Sequence, residues 1–166
     1  MLRKFFLIVL AGWLLTSCSS VHVQYDRQTD FSRYHTYAYQ AGKNNIKGLQ
    51  LGESQYIIRE IDRHLRQWSL QPVRQNPDLL VKVILNFHKR VDVYKGYTPG
   101  PRRTQSKEGK VEVRLIDPRT SRIVWNGYFY LQFANERELK TYVRRKLDKM
   151  FRKMPPGINL PSSSGK

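Results

Sequence analysis

The sequence predicts an α+β fold: a single, mainly antiparallel five-stranded sheet with two helices packed on one face. The predicted elements follow the order strand, strand, helix, three strands, helix, and each helix carries one apolar stripe that must be covered. The 166 residues provide enough chain for one ordinary domain. Packing both stripes on the same side of one sheet buries them most simply, and it leaves the other sheet face at least partly open.

The first two predicted strands lie in the N-terminal part of the domain. Residues 21–25 alternate apolar and polar side chains, and residues 34–39 are aromatic and β-prone. Between them, Asp30-Phe31-Ser32 is expected to turn the chain. Residues 40–53 are rich in glycine and asparagine, a composition that predicts a loop.

Both helices are predicted from apolar side chains that recur at helical spacing. The first covers residues 54–68, and the second begins at Asn135, where Asn135-Glu136-Arg137-Glu138 resembles a capping box. The apolar stripes are Ile57, Ile61, Leu65 and Trp68 in the first helix, and Leu139, Val143, Leu147 and Met150 in the second.

The remaining three strands lie between the helices. Residues 79–88 form a long alternating strand, and residues 110–117 and 122–133 form a hairpin around the turn 117–121. Residues 89–109 contain two glycines and two prolines near their centre, so they are predicted to form an exposed loop.

The N-terminal segment has the order of a secretory signal peptide. Two cations precede the apolar run Phe5–Leu15, which is followed by small polar residues. The run is too short to span a hydrocarbon core, which needs roughly 17–25 helical residues. We therefore expect a removed signal peptide over residues 1–17, a lipidated linker over 18–20, one domain over 21–156 and a disordered tail over 157–166.

Leu15-Thr16-Ser17-Cys18 resembles a bacterial lipobox. The resemblance implies cleavage between Ser17 and Cys18 and a diacylglyceryl thioether on the Cys18 sulfur. Two or more acyl chains make a stable anchor. Ser19 stands where inner-membrane lipoproteins of enteric type carry aspartate, so it favours the outer membrane, with the domain facing the periplasm. The alternative is an ordinary signal peptide with an incidental cysteine.

Few side chains in the sequence are arranged for catalysis. Cys18 is the only cysteine, so its lipidation would leave no thiol for disulfides, catalysis or metal binding. The four histidines are scattered, and the chain has no nucleophile elbow or phosphate loop. We predict no catalytic residue, metal site or cofactor beyond the acyl lipid. A periplasmic glycan-acting enzyme, with two carboxylates in a groove, remains an alternative.

The charge favours anionic partners. The chain has 30 Lys and Arg residues and 13 Asp and Glu residues, which gives a formal net charge of +17. Much of the excess lies in residues 89–110 and in the second helix. Anionic lipids, acidic glycans and acidic proteins of the envelope are the candidate ligands, and a merely solvated basic face is the alternative. The candidate anion-binding residues are Arg102, Arg103, Arg144, Arg145 and Lys149.

The open sheet face is the second candidate binding surface. Arg114, Tyr128 and Tyr130 are predicted to lie there, and tyrosines beside an arginine are typical of protein interfaces. A protein of the cell envelope or a second copy of the chain is the candidate partner. The alternative is a solvated antiparallel sheet, on which tyrosines are also common. The sequence does not determine an oligomeric state.

Several short strings stand in a fixed order along residues 21–156. They are Tyr25-Asp26, Phe31-Ser32, 34–38, 77–81, 117–120, 124–127 and Met154-Pro155-Pro156. Together they resemble the bacterial lipoproteins of the domain of unknown function 4136 family. The resemblance implies a lipid-anchored periplasmic α+β domain with no established activity, and it supplies no catalytic residue.

These observations favour a non-enzymatic envelope lipoprotein that acts as an adaptor or structural component. The membrane lipid is its expected partner through the anchor. A small basic nucleic-acid-binding protein is the main alternative, because positive charge and aromatic residues also suit phosphates and bases. The export signal argues against it, since export would separate the protein from nucleic acid.

Overall fold

The computed structural model describes residues 21–40, 45–94 and 102–155. The expected signal peptide, Cys18, the linker and the tail over 157–166 lie outside the described residues. Within these ranges the elements are β1 (Val21–Tyr25), a 3-10 turn (Phe31–Arg33), β2 (Thr36–Tyr39), β3 (Asn45–Lys47), α1 (Leu51–Gln67), β4 (Gln71–Pro72), β5 (Leu79–Tyr94), β6 (Arg102–Asp117), β7 (Arg122–Phe133) and α2 (Glu136–Phe151).

The strands form one mixed sheet of seven strands in the order β1-β7-β6-β5-β2-β4, with β3 also pairing with β5. The pairs β1/β7, β7/β6 and β6/β5 are antiparallel, whereas β2 and β3 pair with β5 in parallel. The prediction of five mainly antiparallel strands is therefore wrong in strand number and partly in direction. Helix α1 crosses over between β2 and β5, and such a crossover joins parallel strands.

Two short strands account for the higher number. β3 has three residues and lies within the predicted loop 40–53, and β4 has two residues and includes Pro72. Strands this short carry no alternation, so their existence depends on the neighbouring strands that accept their hydrogen bonds.

Both helices pack on the same face of the sheet, as predicted. All the predicted stripe residues except Trp68 are fully buried, and Trp68 packs against the same core from a half-buried position. Helix α2 approaches β7 closely at Gly127, where a Cβ atom would lie 2.7 Å from the Met150 sulfur. The Trp125 and Phe151 rings stack beside it with centroids 5.6 Å apart. Gly127 is therefore required because a helix crosses it.

The predicted cap of α2 is present. The Asn135 side chain accepts a hydrogen bond from the Glu138 backbone N–H at 3.0 Å. Glu138 in turn accepts from the Ala134 backbone N–H at 2.9 Å, one residue before the position that a capping box uses. Helix α1 begins three residues earlier than predicted, at Leu51, because Gln50 and Glu53 cap it.

The expected loop over residues 89–109 is wrong for most of its length. β5 and β6 pair without interruption from Leu80 opposite Ile116 to Tyr94 opposite Arg102. β7 ends at Phe133, opposite Lys107, so residues 90–94 and 102–106 extend beyond it as a two-stranded arm. Val91 and Val93, each 53% exposed, continue the alternation of β5 into this arm. The glycines and prolines on which the loop prediction rested lie between the two paired segments.

In the described part of the chain, neither helix combines the length and the apolar character needed to cross a bilayer.

Candidate functional site

The open sheet face carries an ion triad at its centre. Glu112 on β6 accepts hydrogen bonds from Lys110 Nζ at 2.7 Å and from Arg114 Nε at 2.6 Å. Glu112 is only 4% exposed, although it points away from the helices. Burial opposes ionisation of the carboxyl, but the two cationic donors outweigh it and lower the pKa of Glu112. The triad keeps Lys110 and Arg114 in fixed positions with one net positive charge.

Aromatic rings lie beside the triad. The Tyr128 ring stacks on His22 of the edge strand, with centroids 4.6 Å apart and planes within 10°. The Lys110 ammonium lies 4.3 Å from the centre of the same ring. Tyr130 meets Tyr128 edge to face at 6.1 Å and is 59% exposed. A tyrosine held in this way can bury its ring against a partner at low entropic cost.

Asn126 adds an unsatisfied acceptor to this face. It lies opposite Arg114 on the neighbouring strand. Its Oδ1 atom is buried and makes no hydrogen bond within the described part of the chain. A buried acceptor without a partner costs roughly 1–3 kcal/mol, so a donor that reaches this atom would relieve that cost.

A shallow cavity of about 680 Å³ extends the open face toward the arm. Its floor includes Glu108, which accepts from Arg90 Nη1 at 2.7 Å and lies 2.9 Å from His88 Nε2. The hydrogen bonds from Arg90 and then His88 lower the pKa of Glu108. The lining residues are Asn86, His88, Glu108, Gly109, Lys110, Tyr130, Leu131 and Gln132.

The opposite side of the molecule has a basic groove of about 1290 Å³ between α1 and α2. Six cations and two carboxylates line it, which favours an anionic ligand. Some of these cations are already paired: Lys140 lies 2.7 Å from Glu136, and Arg144 lies 3.7 Å from Glu60. The charged lining residues are Arg59, Lys140, Arg144, Arg145, Lys149, Arg152, Glu136 and Asp148.

The predicted anion-binding residues fall into two groups. Arg144, Arg145 and Lys149 line the basic groove together. Arg102 and Arg103 belong to the arm, where their backbones pair with Tyr94 and Val93, and their side chains lie outside the described residues. The groove also contains Arg59, Lys140 and Arg152, which the sequence analysis missed. The i, i+4 spacing of Lys140 and Arg144 could have signalled that pair, but only helix packing brings Arg59 to them.

The predicted partner-face residues Arg114, Tyr128 and Tyr130 all belong to the open face. Arg114 is opposite Asn126 and Tyr128 is opposite Glu112 in the β6/β7 register. The roles of His22 and Glu112 were not predicted from the sequence. The alternation of β1 and β6 places both on this face, but their contacts depend on the register.

A histidine is buried where the two helices meet. His64 of α1 stacks on Phe151 with centroids 4.9 Å apart, and its Nε2 atom lies 3.0 Å from Asp148. Burial, followed by the nearby Arg63 charge, lowers the pKa of His64 despite Asp148. The imidazole is therefore held neutral near neutral pH, where it serves packing between the helices.

Asp117, in the predicted hairpin turn, and Asp78 make structural contacts. Asp117 is buried and accepts from Arg33 Nη2 at 2.6 Å and from the Arg119 backbone N–H at 2.9 Å. Asp78 accepts from the backbone N–H groups of His35 and Thr36 at 3.0 and 2.9 Å, which links β2 to the start of β5. Across residues 21–40, 45–94 and 102–155, no three His, Asp or Glu side chains are grouped as ligands of one metal ion.

Solved structures with this fold share little sequence with the chain. A DUF4136 family protein from Bacteroides thetaiotaomicron matches with a TM-score of 0.54 at 12% identity, covering 80% of this chain and 94% of that one. The PelC dodecamer from Paraburkholderia phytofirmans matches with a TM-score of 0.51 at 12% identity, covering 79% of this chain and 94% of that one. A PDZ domain protein from Parabacteroides distasonis matches with a TM-score of 0.52 at 15% identity. The match covers 82% of this chain and 36% of that one, so this chain spans about a third of its length.

Identities this low show a common fold and nothing finer. The chain has no match among curated proteins. The family model described as "Domain of unknown function (DUF4136)" matches residues 21–156, which include every strand and helix described above. The family resemblance noted in the sequence is thereby confirmed, and the chain belongs to the DUF4136 family.

Proposed function

We propose that this chain is a lipoprotein held on the periplasmic face of the outer membrane, where its domain binds another envelope component without catalysing a reaction. The observation that carries the proposal is the position of Cys18. It ends the lipobox, and only Ser19 and Ser20 separate it from β1, which begins at Val21. An acyl anchor on Cys18 would therefore hold the folded domain directly against the bilayer.

The roles of the acidic residues support a binding module. A glycan-acting enzyme needs two carboxylates free to face a substrate. Here Asp117, Asp78 and Glu112 are occupied by hydrogen bonds that close turns, join strands or fix the ion triad. These contacts lower their pKa values, which suits structural anions and opposes service as general acids near neutral pH.

The open face is the surface we assign to a protein partner. Tyr128 is fixed between His22 and Lys110, Tyr130 stands out from it, and the ion triad supplies oriented cations. The anchor raises the local concentration, so modest affinity would suffice. The PelC relative is a dodecamer, so a second copy of this chain is a partner that the experiment below would detect.

The anchor is tested by Cys18→Ala with Ser20→Ala as the matched control. We expect the unaltered chain and Ser20→Ala to yield a mature N-terminal peptide that begins at Cys18 and carries acyl chains, measured by mass spectrometry. Cys18→Ala should lose this peptide and the acyl chains. An unmodified Cys18 behind an uncleaved leader in the natural protein would contradict the proposal.

The partner face is tested by photo-crosslinking in living cells. A crosslinking amino acid at Tyr130 should capture one or a few defined envelope proteins or a second copy of the chain. The same amino acid at Gln75, an exposed position outside the open face and the basic groove, is the control. Capture that does not differ between the two positions would remove the open face as the binding surface.

A further inference from the structure

Two opposite sides of helix α2 contact different parts of the fold. One flank faces α1: the Tyr56 hydroxyl donates to the Lys140 carbonyl at 3.3 Å, and Asp148 lies 3.5 Å from Arg63. At about 100° of rotation per residue, the opposite flank carries residues 142, 146, 149 and 153. This flank lies over the β1 edge of the sheet, because Lys153 Nζ donates to the Val21 carbonyl at 3.2 Å.

Three of the four positions on this flank are lysines, and we call Lys146, Lys149 and Lys153 the lysine flank. Lys149 also lines the basic groove, so the lysine flank borders that groove. Tyr142, the fourth, packs partly buried against the core under the Arg145 guanidinium, which lies 5.4 Å from its ring centre. The neighbouring strand β1 contributes no acidic residue beside Lys146 and Lys153, and Asp148 lies 3.0 Å from His64 of α1. Partial burial, then Arg145 and Lys149, lower the pKa of Lys146, so an anion bound here would relieve repulsion.

The chain outside the structure ends at this same edge. Only Ser19 and Ser20 separate Cys18 from Val21. Three residue steps span at most roughly 11 Å when fully extended. A lipidated Cys18 must sit in the bilayer interface, so Val21 and the Lys153 ammonium beside it would lie about one Debye length from the lipid headgroups.

We propose that the lysine flank docks on anionic phospholipid headgroups and sets the orientation of the anchored domain. This inference rests on the proposed lipidation of Cys18. Docking through the β1 edge stands the sheet upright on the membrane, so that its open face remains accessible from the side. The tether supplies proximity, and the lysines select one rotational orientation out of those that a two-residue linker permits.

The test is lysine footprinting on the lipidated protein. The full mature chain is reconstituted into vesicles of phosphatidylcholine, with or without phosphatidylglycerol, and acetylation rates are measured for each lysine by mass spectrometry. Phosphatidylglycerol should slow acetylation of the lysine flank on the order of fivefold, which corresponds to about 1 kcal/mol per basic residue at an anionic surface. Lys47 and Lys82, on other surfaces, should react equally in both vesicles.

A pair of variants separates the flank from net charge. Lys146→Gln with Lys149→Gln leaves Lys153 as the reporter, because the Lys153 side chain binds the Val21 carbonyl. Phosphatidylglycerol should then no longer protect Lys153. The control, Lys47→Gln with Lys89→Gln, removes the same charge elsewhere and should leave the protection unchanged.

The outcomes distinguish the two proposals. Lipidated protein whose lysines react alike in both vesicles, or a control that abolishes protection equally, overturns the docking surface and leaves the proposed function standing. An unmodified Cys18 overturns the proposed function and with it the tether on which the docking surface depends.

Discussion

The two faces of strand β6 use opposite means to bury side chains. Val111, Val113 and Leu115 are fully buried against the helices. Between them, Lys110 and Arg114 enclose Glu112 on the face that neither α1 nor α2 covers. The covered face is held by apolar burial, which is proportional to area and indifferent to direction. The open face is stabilised by oriented ion pairs. Their charges cost more free energy of desolvation to assemble, but they remain available to a partner.

The comparison predicts that the largest loss of stability comes from the covered face. Trp125→Ala removes a fully buried ring that stacks on Phe151 and lies beneath α2. We expect the free energy of unfolding to fall by about 3–5 kcal/mol, measured by urea denaturation. Trp68→Ala, at the half-buried end of α1, should cost clearly less. Equal losses for the two variants would contradict the assignment of Trp125 to the centre of the core.

On the open face, Glu112→Ala should cost less but still a measurable amount. The substitution leaves Lys110 and Arg114 side by side with no shared carboxylate, although both remain about a third exposed to water. We expect a loss of about 1–2 kcal/mol, between the values for surface and buried ion pairs. The loss should shrink when Lys110→Met is combined with Glu112→Ala. A double variant less stable than Glu112→Ala alone would argue against the triad.

On the covered side, the free energy of unfolding should also fall as the pH is lowered, because of His64. The folded state lowers the pKa of His64, so it favours the neutral imidazole. This contribution to stability is complete above the pKa of the unfolded chain, near 6.5, and is lost as the pH falls below it. His64→Phe keeps the stacking on Phe151 and should reduce the pH dependence of unfolding between pH 8 and pH 5. His35→Gln, at an exposed site, is the matched control variant.

The smallest effect on stability is expected for Tyr130, on the open face. Tyr130 is 59% exposed, so Tyr130→Ala should change the free energy of unfolding by less than about 0.5 kcal/mol. The same variant should weaken capture of the partner that crosslinks through this face. A substantial loss of stability would mean that Tyr130 serves the fold rather than a partner.

The differences between prediction and structure follow from the range over which each interaction acts. The stripes of both helices, the cap at Asn135 and the hairpin turn at Asp117 were predictable, because each depends on residues a few positions apart. The arm was missed because its alternating valines stand beside a cluster of glycine and proline. The short strands β3 and β4 were missed because three or two residues show no periodicity.

The candidate surfaces divide in the same way. Tyr128, Tyr130 and Arg114 were assigned to one face by alternation alone. The stacking of His22 on Tyr128 needs β1 to pair with β7, a contact across more than a hundred residues. The basic groove needs Arg59 of α1 beside α2, which helix packing decides.

By itself, the sequence determined the family, the two helices, the apolar face of the sheet and the position of the proposed lipobox, because these are local patterns of composition and spacing. Only the tertiary structure decided the mixed strand order, the ion triad and the location of the lysine flank beside the start of β1. The reason is physical: periodicity shows which side of an element is apolar, whereas the neighbour that covers each side is selected by packing among distant segments.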